Sequence, residues 1–324
     1  MDRLTVNSFV VPPPRVPLLP EPTALHRLDR LSVALDRELW IKRDDLTAVG
    51  VGGNKIRKLE YLLGEAADNG ADTLVTVGAV QSNHCRAVAA AASVMGLDCH
   101  LVRTGNPPAE PAGNLLLDEL LRASYEFCPD ADWAAVFEAA QQACERLTAE
   151  GKKPFLMPAG GSTPTGALGY VNAYSEFLDQ CQTHDLQPAS IIHANGSGGT
   201  QAGLIAGQAL LGGPATIIGV AVALEAELIA AVSTGLAQAL LRSFEQDESQ
   251  LKPAIVLDGY RGPEYGIPTE QGEAALLTML RREGILLDPV YTAKAFSAVI
   301  ANDPAIPDGP IVFWHTGGTP AVFA

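Results

Sequence analysis

Short apolar runs alternate with longer segments of helical period along most of this chain. The short runs are read as strands and the longer segments as amphipathic helices. The predicted strands are 39–43, 73–77, 99–102, 154–157, 190–194, 216–220 and 311–314, and the predicted helices include 87–95, 114–121 and 131–147. Alternation of this kind predicts an α/β fold in which parallel sheets are flanked by helices.

A glycine cluster divides the predicted elements into two α/β units. This cluster, Pro158-Ala159-Gly160-Gly161-Ser162, is interpreted as a hinge. We predict a larger domain formed by residues 1–60 and 161–324, with residues 61–160 as a smaller inserted α/β domain. The first 35 residues are rich in proline and lack a sustained period, so they are predicted to form an arm packed over the body.

Composition and charge exclude several classes of partner. The 324 residues carry 22 basic and 37 acidic side chains, a net charge of −15, which argues against binding to nucleic acid or an anionic membrane. No apolar run reaches the roughly 18 residues of a membrane span, and no signal peptide is evident. Five cysteines at irregular spacing suit reduced thiols in the cytoplasm. With no Cys-x-x-Cys and no His-x-x-x-His, no metal site is expected.

The segment Gly52-Gly53-Asn54-Lys55 places a lysine at the start of a predicted helix. The glycines permit a tight turn, Asn54 is a favoured helix cap, and Leu59, Leu62 and Leu63 continue the apolar period. Lys55 is therefore expected on the buried face, where an unpaired ammonium is costly. Either the lysine is committed chemically, as in a Schiff base or with a lowered pKa, or its side chain snorkels to solvent.

A second segment, Asn195-Gly196-Ser197-Gly198-Gly199-Thr200, lies between an apolar strand and a helix predicted to begin near Gln201. A loop of small residues at a helix N-terminus exposes backbone N–H groups and the positive end of the helix dipole, which suits a phosphate. The spacing matches neither the P-loop nor the Gly-x-Gly-x-x-Gly pattern. A plain tight turn is the alternative interpretation.

Four further polar residues occur in loop settings. Ser82 and Asn83 follow strand 73–77, at the kind of strand end where parallel sheets bind ligands, although they could also simply cap the next helix. Tyr265 and Tyr291 lie in glycine- and proline-containing loops. Tyrosine is an acid/base group when a cationic neighbour lowers its pKa, and otherwise it is usually a packing residue.

Together these segments supply a lysine for an aldehyde, a cradle for a phosphate and polar groups for a ring. That combination predicts a site for pyridoxal 5'-phosphate (PLP).

Five motifs of the chain occur in the order of one enzyme family. These motifs are the run from Leu39 to Glu60 with its Gly-Gly-Asn-Lys-x-Arg-Lys-Leu-Glu, Gln81-Ser82-Asn83-His84, the 195–200 loop, Pro263-Glu264-Tyr265-Gly266 and Asp288-Pro289-Val290-Tyr291. Over nearly its whole length the chain resembles the D-cysteine desulfhydrase and 1-aminocyclopropane-1-carboxylate deaminase family of PLP enzymes. These enzymes have fold type II, which is similar to the tryptophan synthase β fold.

The resemblance implies two doubly wound, mainly parallel sheet domains with the cofactor between them, and a homodimer. It implies that Lys55 forms the Schiff base, that Asn83 binds the phenolate oxygen, and that Ser82 contacts the substrate carboxylate or assists as an acid/base. The other implied site residues are Ser197, Gly198, Gly199 and Thr200 at the phosphate, Tyr265 and Tyr291 as catalytic tyrosines, and Thr316 at the cofactor.

Two residues are expected to select the reaction. The ring-opening deaminases look like they carry Glu after the second tyrosine and Leu before the late Gly-Gly, where this chain has Thr292 and Thr316. A carboxylate near the pyridine nitrogen would strengthen the ring as an electron sink, and a hydroxyl leaves it weaker. β-Elimination needs less carbanion stabilisation because the leaving group disperses the charge.

The expected reaction is therefore the conversion of D-cysteine, a small amino-acid substrate, to pyruvate, hydrogen sulfide and ammonia. The alternatives are 1-aminocyclopropane-1-carboxylate deamination, an L-cysteate sulfo-lyase-like activity, and a binding protein that retains the cofactor fold without catalysis. The roles of Tyr265 and Tyr291 remain interchangeable at this point.

Overall fold

The computed structural model describes residues 13–324, so the first part of the predicted N-terminal arm lies outside the described residues. Within the described residues, ten strands form two sheets, one of six strands and one of four. The strands are β1 Leu25–Arg27, β2 Leu39–Arg43, β3 Thr73–Ala79, β4 Asp98–Thr104, β5 Ser124–Cys128, β6 Pro154–Met157, β7 Ser190–Asn195, β8 Thr216–Ala221, β9 Ile255–Leu257 and β10 Ile311–His315.

Ten α-helices cover these sheets in the described part of the chain. The helices are α1 Asp29–Leu35, α2 Lys55–Asp68, α3 Asn83–Met95, α4 Gly113–Leu120, α5 Trp133–Ala149, α6 Pro164–Thr183, α7 Gly199–Leu211, α8 Ala226–Ser243, α9 Glu270–Glu283 and α10 Thr292–Ile300. No helix within residues 13–324 has both the length and the apolar character that a membrane crossing requires.

The larger sheet has the strand order β1-β2-β10-β7-β8-β9 and is parallel except for β1, which pairs antiparallel with β2. Successive side chains along each strand point to opposite faces of the sheet. Val312 and Trp314 pack with α6 and α7, whereas Ile311 and Phe313 pack on the opposite face with α9 and α10. Both faces are therefore buried, as parallel sheets require.

The smaller sheet has the order β5-β4-β3-β6 and is entirely parallel. Leu74 and Leu101 face α2 and α3, while Val75 and Val102 face α5. The predicted fold class, two doubly wound and mainly parallel α/β units, is thus confirmed. The boundaries of the predicted domains stay a prediction, although all four strands of the smaller sheet lie within residues 73–157.

Several elements were not foreseen from the pattern, among them α1, β1, β5 and α6. The arm contains α1, a helix of only seven residues, as well as the three-residue β1. Strand β5 is short and half-buried, so its apolar signal is weak. Helix α6 is buried on several sides and lacks a single apolar stripe, but Thr163 caps it by accepting from the Gly166 N–H at 2.9 Å, and Pro164 begins it.

A buried ionic network lies beneath helix α2. Asp44 accepts from Arg57 at 2.8 and 2.9 Å, from the Tyr170 hydroxyl at 2.6 Å and from the Trp314 indole at 2.8 Å. Glu176 also pairs with Arg57 at 2.9 Å. Because both charges of the central pair are buried and hydrogen-bonded, the network fixes the position of α2 relative to α6 and β10.

Candidate active site

A cavity of about 470 Å³ opens where strand ends of the two sheets face each other. Its walls come from the carboxyl ends of β3, β7 and β10 and from the N-terminus of α3. Carboxyl ends of parallel strands are the usual ligand-binding edge of such sheets. Most of the predicted site residues line this cavity: Lys55, Ser82, Asn83, Ser197, Gly198, Thr200, Tyr265, Tyr291 and Thr316.

Lys55 is the first residue of α2, and its Nζ donates to Asn54 Oδ1 at 2.8 Å. The expectation that Asn54 caps the helix is wrong for its side chain, which makes no capping bond. Its Nδ2 instead donates to Thr200 Oγ1 at 2.9 Å and so ties the lysine to the 195–200 loop. Burial of the ammonium, with help from nearby Arg86 and against Asp288, lowers the pKa of Lys55 to about 8.

The 195–200 loop forms the turn into α7, which begins at Gly199 rather than near Gln201. Gly198 has φ +82°, a conformation that favours glycine. The Ser197 hydroxyl accepts from Ser162 Oγ at 2.8 Å, and Gly198 N donates to Asn195 Oδ1 at 3.1 Å. The start of the 13-residue helix α7 thus meets the cavity with its positive dipole end.

Lys58, which the sequence interpretation did not single out, lies beside this loop. Its Nζ donates to the Gly160 carbonyl at 3.0 Å, and a methyl group on Gly199 would lie 2.7 Å from it. The side chain is 1% exposed, and no carboxylate within the described residues is in ion-pair distance of it. Burial and the neighbouring Lys55 hold the pKa of Lys58 well below its usual range.

The surroundings of Lys58 show whether the cavity suits a cofactor that carries a phosphate. A buried ammonium without a counterion, facing the N-terminus of a helix, is unfavourable unless an anion is bound. The residues present therefore fit PLP, with the phosphate at Lys58 and α7 and the aldehyde carbon at Lys55. The signal in the sequence was the spacing: Lys58 follows Lys55 by three residues, on the same side of the helix.

Ser82 and Asn83 combine the two roles that the sequence left open. Ser82 is the N-cap of α3 and accepts from Cys85 N at 3.2 Å, yet it also lines the cavity. Asn83 Oδ1 accepts from Asn114 Nδ2 at 3.0 Å, which leaves the N–H₂ group of the amide as a donor for the cavity. A donor in this position suits a phenolate oxygen.

The two tyrosines meet in the cavity, where their hydroxyls hydrogen-bond each other and their rings pack edge to face at 6.1 Å. Tyr265 keeps 38% of its surface exposed, but its hydroxyl points inward, and burial raises the pKa of both phenols, that of Tyr291 most strongly. The sequence argument for a lowered tyrosine pKa needed a cationic neighbour. The structure shows the opposite shift, so both phenols are neutral donors at neutral pH.

Thr292, expected near the cofactor ring, does not line the cavity, and its place relative to the ring stays a prediction. Thr292 is fully buried, and its hydroxyl donates to Asp288 Oδ1 at 2.6 Å and accepts from Asp288 N at 2.8 Å. Asp288 also accepts from the N–H groups of Val290 and Tyr291. Only Thr316, of the two threonines, lies in the cavity wall. Asp288 was not foreseen as the residue that fixes the Tyr291 backbone.

Comparison with known proteins agrees with this geometry. The family model described as pyridoxal-phosphate dependent enzyme matches residues 16–317, which include every residue of the cavity. The D-cysteine desulfhydrase of Serratia proteamaculans (strain 568) is 42% identical over 322 residues, 96% of each chain. The protein of the same name from Yersinia pestis (strain Pestoides F) is 41% identical over 332 residues, 99% of this chain and 98% of that one.

Solved structures show the same relationship. The structure titled as an ACC deaminase homologue superposes with a TM-score of 0.90 at 38% identity and covers 98% of this chain and 94% of that one. A fungal L-serine ammonia-lyase from Rhizomucor miehei has a TM-score of 0.67 at 17% identity over 94% of this chain and 95% of that one, a likeness of fold alone. The resemblance and the PLP cofactor expected from the sequence are confirmed.

Proposed function

The chain belongs to the family of pyridoxal-phosphate dependent enzymes, and we propose that it is a lyase that converts D-cysteine and water to pyruvate, hydrogen sulfide and ammonia. The observation that carries the proposal is the likeness to proteins named D-cysteine desulfhydrase over nearly the whole of both chains. The cavity supports it, because it brings an amine, an anion site and two neutral phenols together.

Lys55 would hold the cofactor through Nζ. With a pKa near 8, this nitrogen is neutral in a usable fraction of molecules at neutral pH, and only the neutral amine attacks an aldehyde. Lys58 and the start of α7 would hold the phosphate. Asn54 fixes the position of Lys55 relative to the 195–200 loop, because it hydrogen-bonds both Lys55 and Thr200.

When bound, the cofactor supplies an electron sink for the negative charge that forms at the substrate α-carbon. Lys55 Nζ, which lines the cavity, would take the α-proton of the bound substrate. Ser82 and the N-terminus of α3 bind the substrate carboxylate, since a helix N-terminus with a hydroxyl favours an anion.

The phenols act as acids in this scheme. The bond between the β-carbon and sulfur breaks, the electron pair leaves with sulfur, and a tyrosine O–H donates its proton to the departing thiolate. Because burial raises both tyrosine pKa values, each hydroxyl carries its proton at neutral pH. Hydrolysis of the released enamine gives pyruvate and ammonia.

The rival function is deamination of 1-aminocyclopropane-1-carboxylate, which the solved homologue favours by its title. Thr316 favours β-elimination, because it lies in the cavity wall at the position where the ring-opening deaminases are expected to carry Leu.

The test is an assay of purified protein with both substrates. We expect an absorption band from the lysine-bound cofactor, its loss in Lys55→Ala, and hydrogen sulfide from D-cysteine. Release of 2-oxobutanoate from the cyclopropane substrate without hydrogen sulfide would select the rival, and absence of the band after incubation with PLP would refute both.

Separate Tyr265→Phe and Tyr291→Phe variants show which tyrosine donates the proton to the leaving thiolate. The variant that removes the proton donor should lower kcat by about 10²- to 10⁴-fold with an unchanged KM and an intact cofactor band. If neither variant changes kcat, the leaving group is protonated by another residue.

We further propose that the protein is a cytoplasmic homodimer. The five cysteines are free thiols, as a reducing compartment favours. Helix α4 packs against α3 and the C-terminal turn Thr319–Phe323, and these elements expose Val94, Leu120 and Phe323 at 60–70%. Neighbouring exposed apolar side chains suit an interface. Leu120→Glu should yield a monomer by light scattering, and fractionation of cells tests the compartment.

A further inference from the structure

His84 is a buried imidazole in the cavity wall that the proposed reaction does not use. It is the second residue of α3 and is 3% exposed. Neither ring nitrogen makes a hydrogen bond of ordinary geometry among residues 13–324, although the Pro158 carbonyl lies close enough to act on the ring. Buried polar groups are paired in the great majority of cases, so an unpaired imidazole on a cavity wall indicates a ligand atom.

The surroundings of the ring indicate which kind of atom that is. A methyl group on Gly161 would lie 3.2 Å from His84 Cε1, and the adjacent Gly160 carbonyl binds Lys58. Burial, then the charges of Lys55 and Lys58, hold the pKa of His84 well below its usual range, which the Pro158 carbonyl opposes only weakly. The ring is therefore neutral and has one N–H to donate.

We propose that His84 is a cofactor-binding residue whose N–H donates a hydrogen bond to the phosphate of bound PLP. The ring adjoins the Lys58 end of the cavity, where the anion site lies, and it is near two cations that cannot accept its proton. A neutral donor completes the phosphate contacts without adding a third buried positive charge beside Lys55 and Lys58.

The experiment compares three ligands of the apoenzyme: PLP, pyridoxal without its phosphate, and inorganic phosphate. His84→Met removes both ring nitrogens, and His84→Gln keeps an N–H donor. His193→Met is the matched control, because His193 is also fully buried and has an unpartnered Nε2 but does not line the cavity.

We expect His84→Met to raise the Kd for PLP and for inorganic phosphate about 10- to 150-fold, as for loss of a hydrogen bond to a charged group. The Kd for pyridoxal should stay unchanged, His84→Gln should recover much of the loss, and His193→Met should leave the ratio of the PLP and pyridoxal affinities as in the wild type. Equal weakening of PLP and pyridoxal, or no weakening of either, would overturn the proposal.

A measurement on the wild-type protein covers the case in which the variants do not fold. Long-range ¹H–¹⁵N spectra of the apoenzyme should show one neutral imidazole whose N–H resonance shifts when inorganic phosphate is added. A His84 resonance that phosphate leaves unmoved refutes the contact. The inference rests on PLP binding within the proposed function, and these binding constants are independent of whether D-cysteine releases hydrogen sulfide.

Discussion

Replacing Lys58 with methionine should stabilise the cofactor-free protein and weaken cofactor binding at the same time. In the apoenzyme the ammonium is buried, has no carboxylate partner within residues 13–324 and faces both Lys55 and the positive end of α7. Methionine is unbranched, of similar length and uncharged, so it can occupy the same channel without the desolvation cost. With the phosphate present, the same charge becomes the main counterion.

The two effects have comparable magnitudes and opposite signs. Replacing a poorly compensated buried charge with an apolar side chain stabilises by about 1–4 kcal/mol. Removing one partner of a buried, hydrogen-bonded charge pair costs about 2–5 kcal/mol, which raises the Kd for PLP by about 30- to 5,000-fold. The lost bond to the Gly160 carbonyl, 3.0 Å long, subtracts about 1 kcal/mol from the apoenzyme gain.

The assay is urea unfolding of the apoenzyme together with titration by PLP. Lys152→Met is the matched control, because Lys152 pairs with Asp98 on the surface and should leave both quantities unchanged. A less stable apoenzyme with unchanged PLP affinity would refute the reasoning and leave Lys58 as a structural partner of the Gly160 carbonyl alone.

The pH dependence gives the same prediction a second test. Because the folded state lowers the pKa of Lys58, folded apoenzyme binds fewer protons than unfolded chain between that lowered pKa and about 10.4. Stability therefore rises with pH across this window, and the contribution is unfavourable below it. Lys58→Met should flatten this slope, and a slope equal to that of the wild type would contradict the assignment.

Four other changes have definite expected outcomes. The rate of cofactor capture by apoenzyme should rise with pH to half its maximum near the Lys55 pKa of about 8, and a rate that is flat from pH 7 to 10 would contradict it. Gly199→Ala adds a methyl group 2.7 Å from a buried ammonium and should weaken PLP binding about tenfold or more, whereas Gly235→Ala, with no atom within 4 Å, should stabilise by about 0.5–1 kcal/mol in thermal unfolding. Asp44→Asn should cost about 3–5 kcal/mol in urea unfolding at pH 7. In the wild type the pKa of Asp44 is lowered to about 2, so its contribution is complete above pH 3.8 and disappears only as the pH falls through about 2; an unchanged midpoint in the variant would refute this. Thr292→Glu should destabilise by about 3–5 kcal/mol without releasing 2-oxobutanoate from 1-aminocyclopropane-1-carboxylate, and a stable variant that releases it would contradict the position of the side chain.

Strands and loops of this protein were predictable because their signals are local. Strands β2 and β6 have the bounds expected from their apolar runs, and the small residues of the 195–200 loop mark a strand-to-helix turn in any context. Residues that line one edge of parallel sheets converge by topology alone. The cavity could therefore be assembled from its motifs before any contact was known.

The properties that were missed depend on contacts between distant segments. Nothing local to Lys58 shows that no carboxylate of the described chain reaches it, since the bond to Gly160 and the approach of Gly199 come from elsewhere in the chain. Asn54 has the residue type of a helix cap, but its side-chain amide donates a hydrogen bond to the Thr200 hydroxyl, 146 positions away in the sequence. In both residues, contacts with distant segments set the environment of the side chain.

The position of Thr292 changes how the two candidate reactions can be distinguished. Adjacency to Tyr291 suggested that residue 292 faces the cofactor, but the first turn of α10 directs its hydroxyl to Asp288, a carboxylate that already accepts from three backbone N–H groups. A glutamate there would bring a second carboxylate against the first, and one of the two would have to take up a proton or leave the site. In this chain we therefore expect the choice of reaction to depend on groups that reach the cavity, Thr316 and the two phenols.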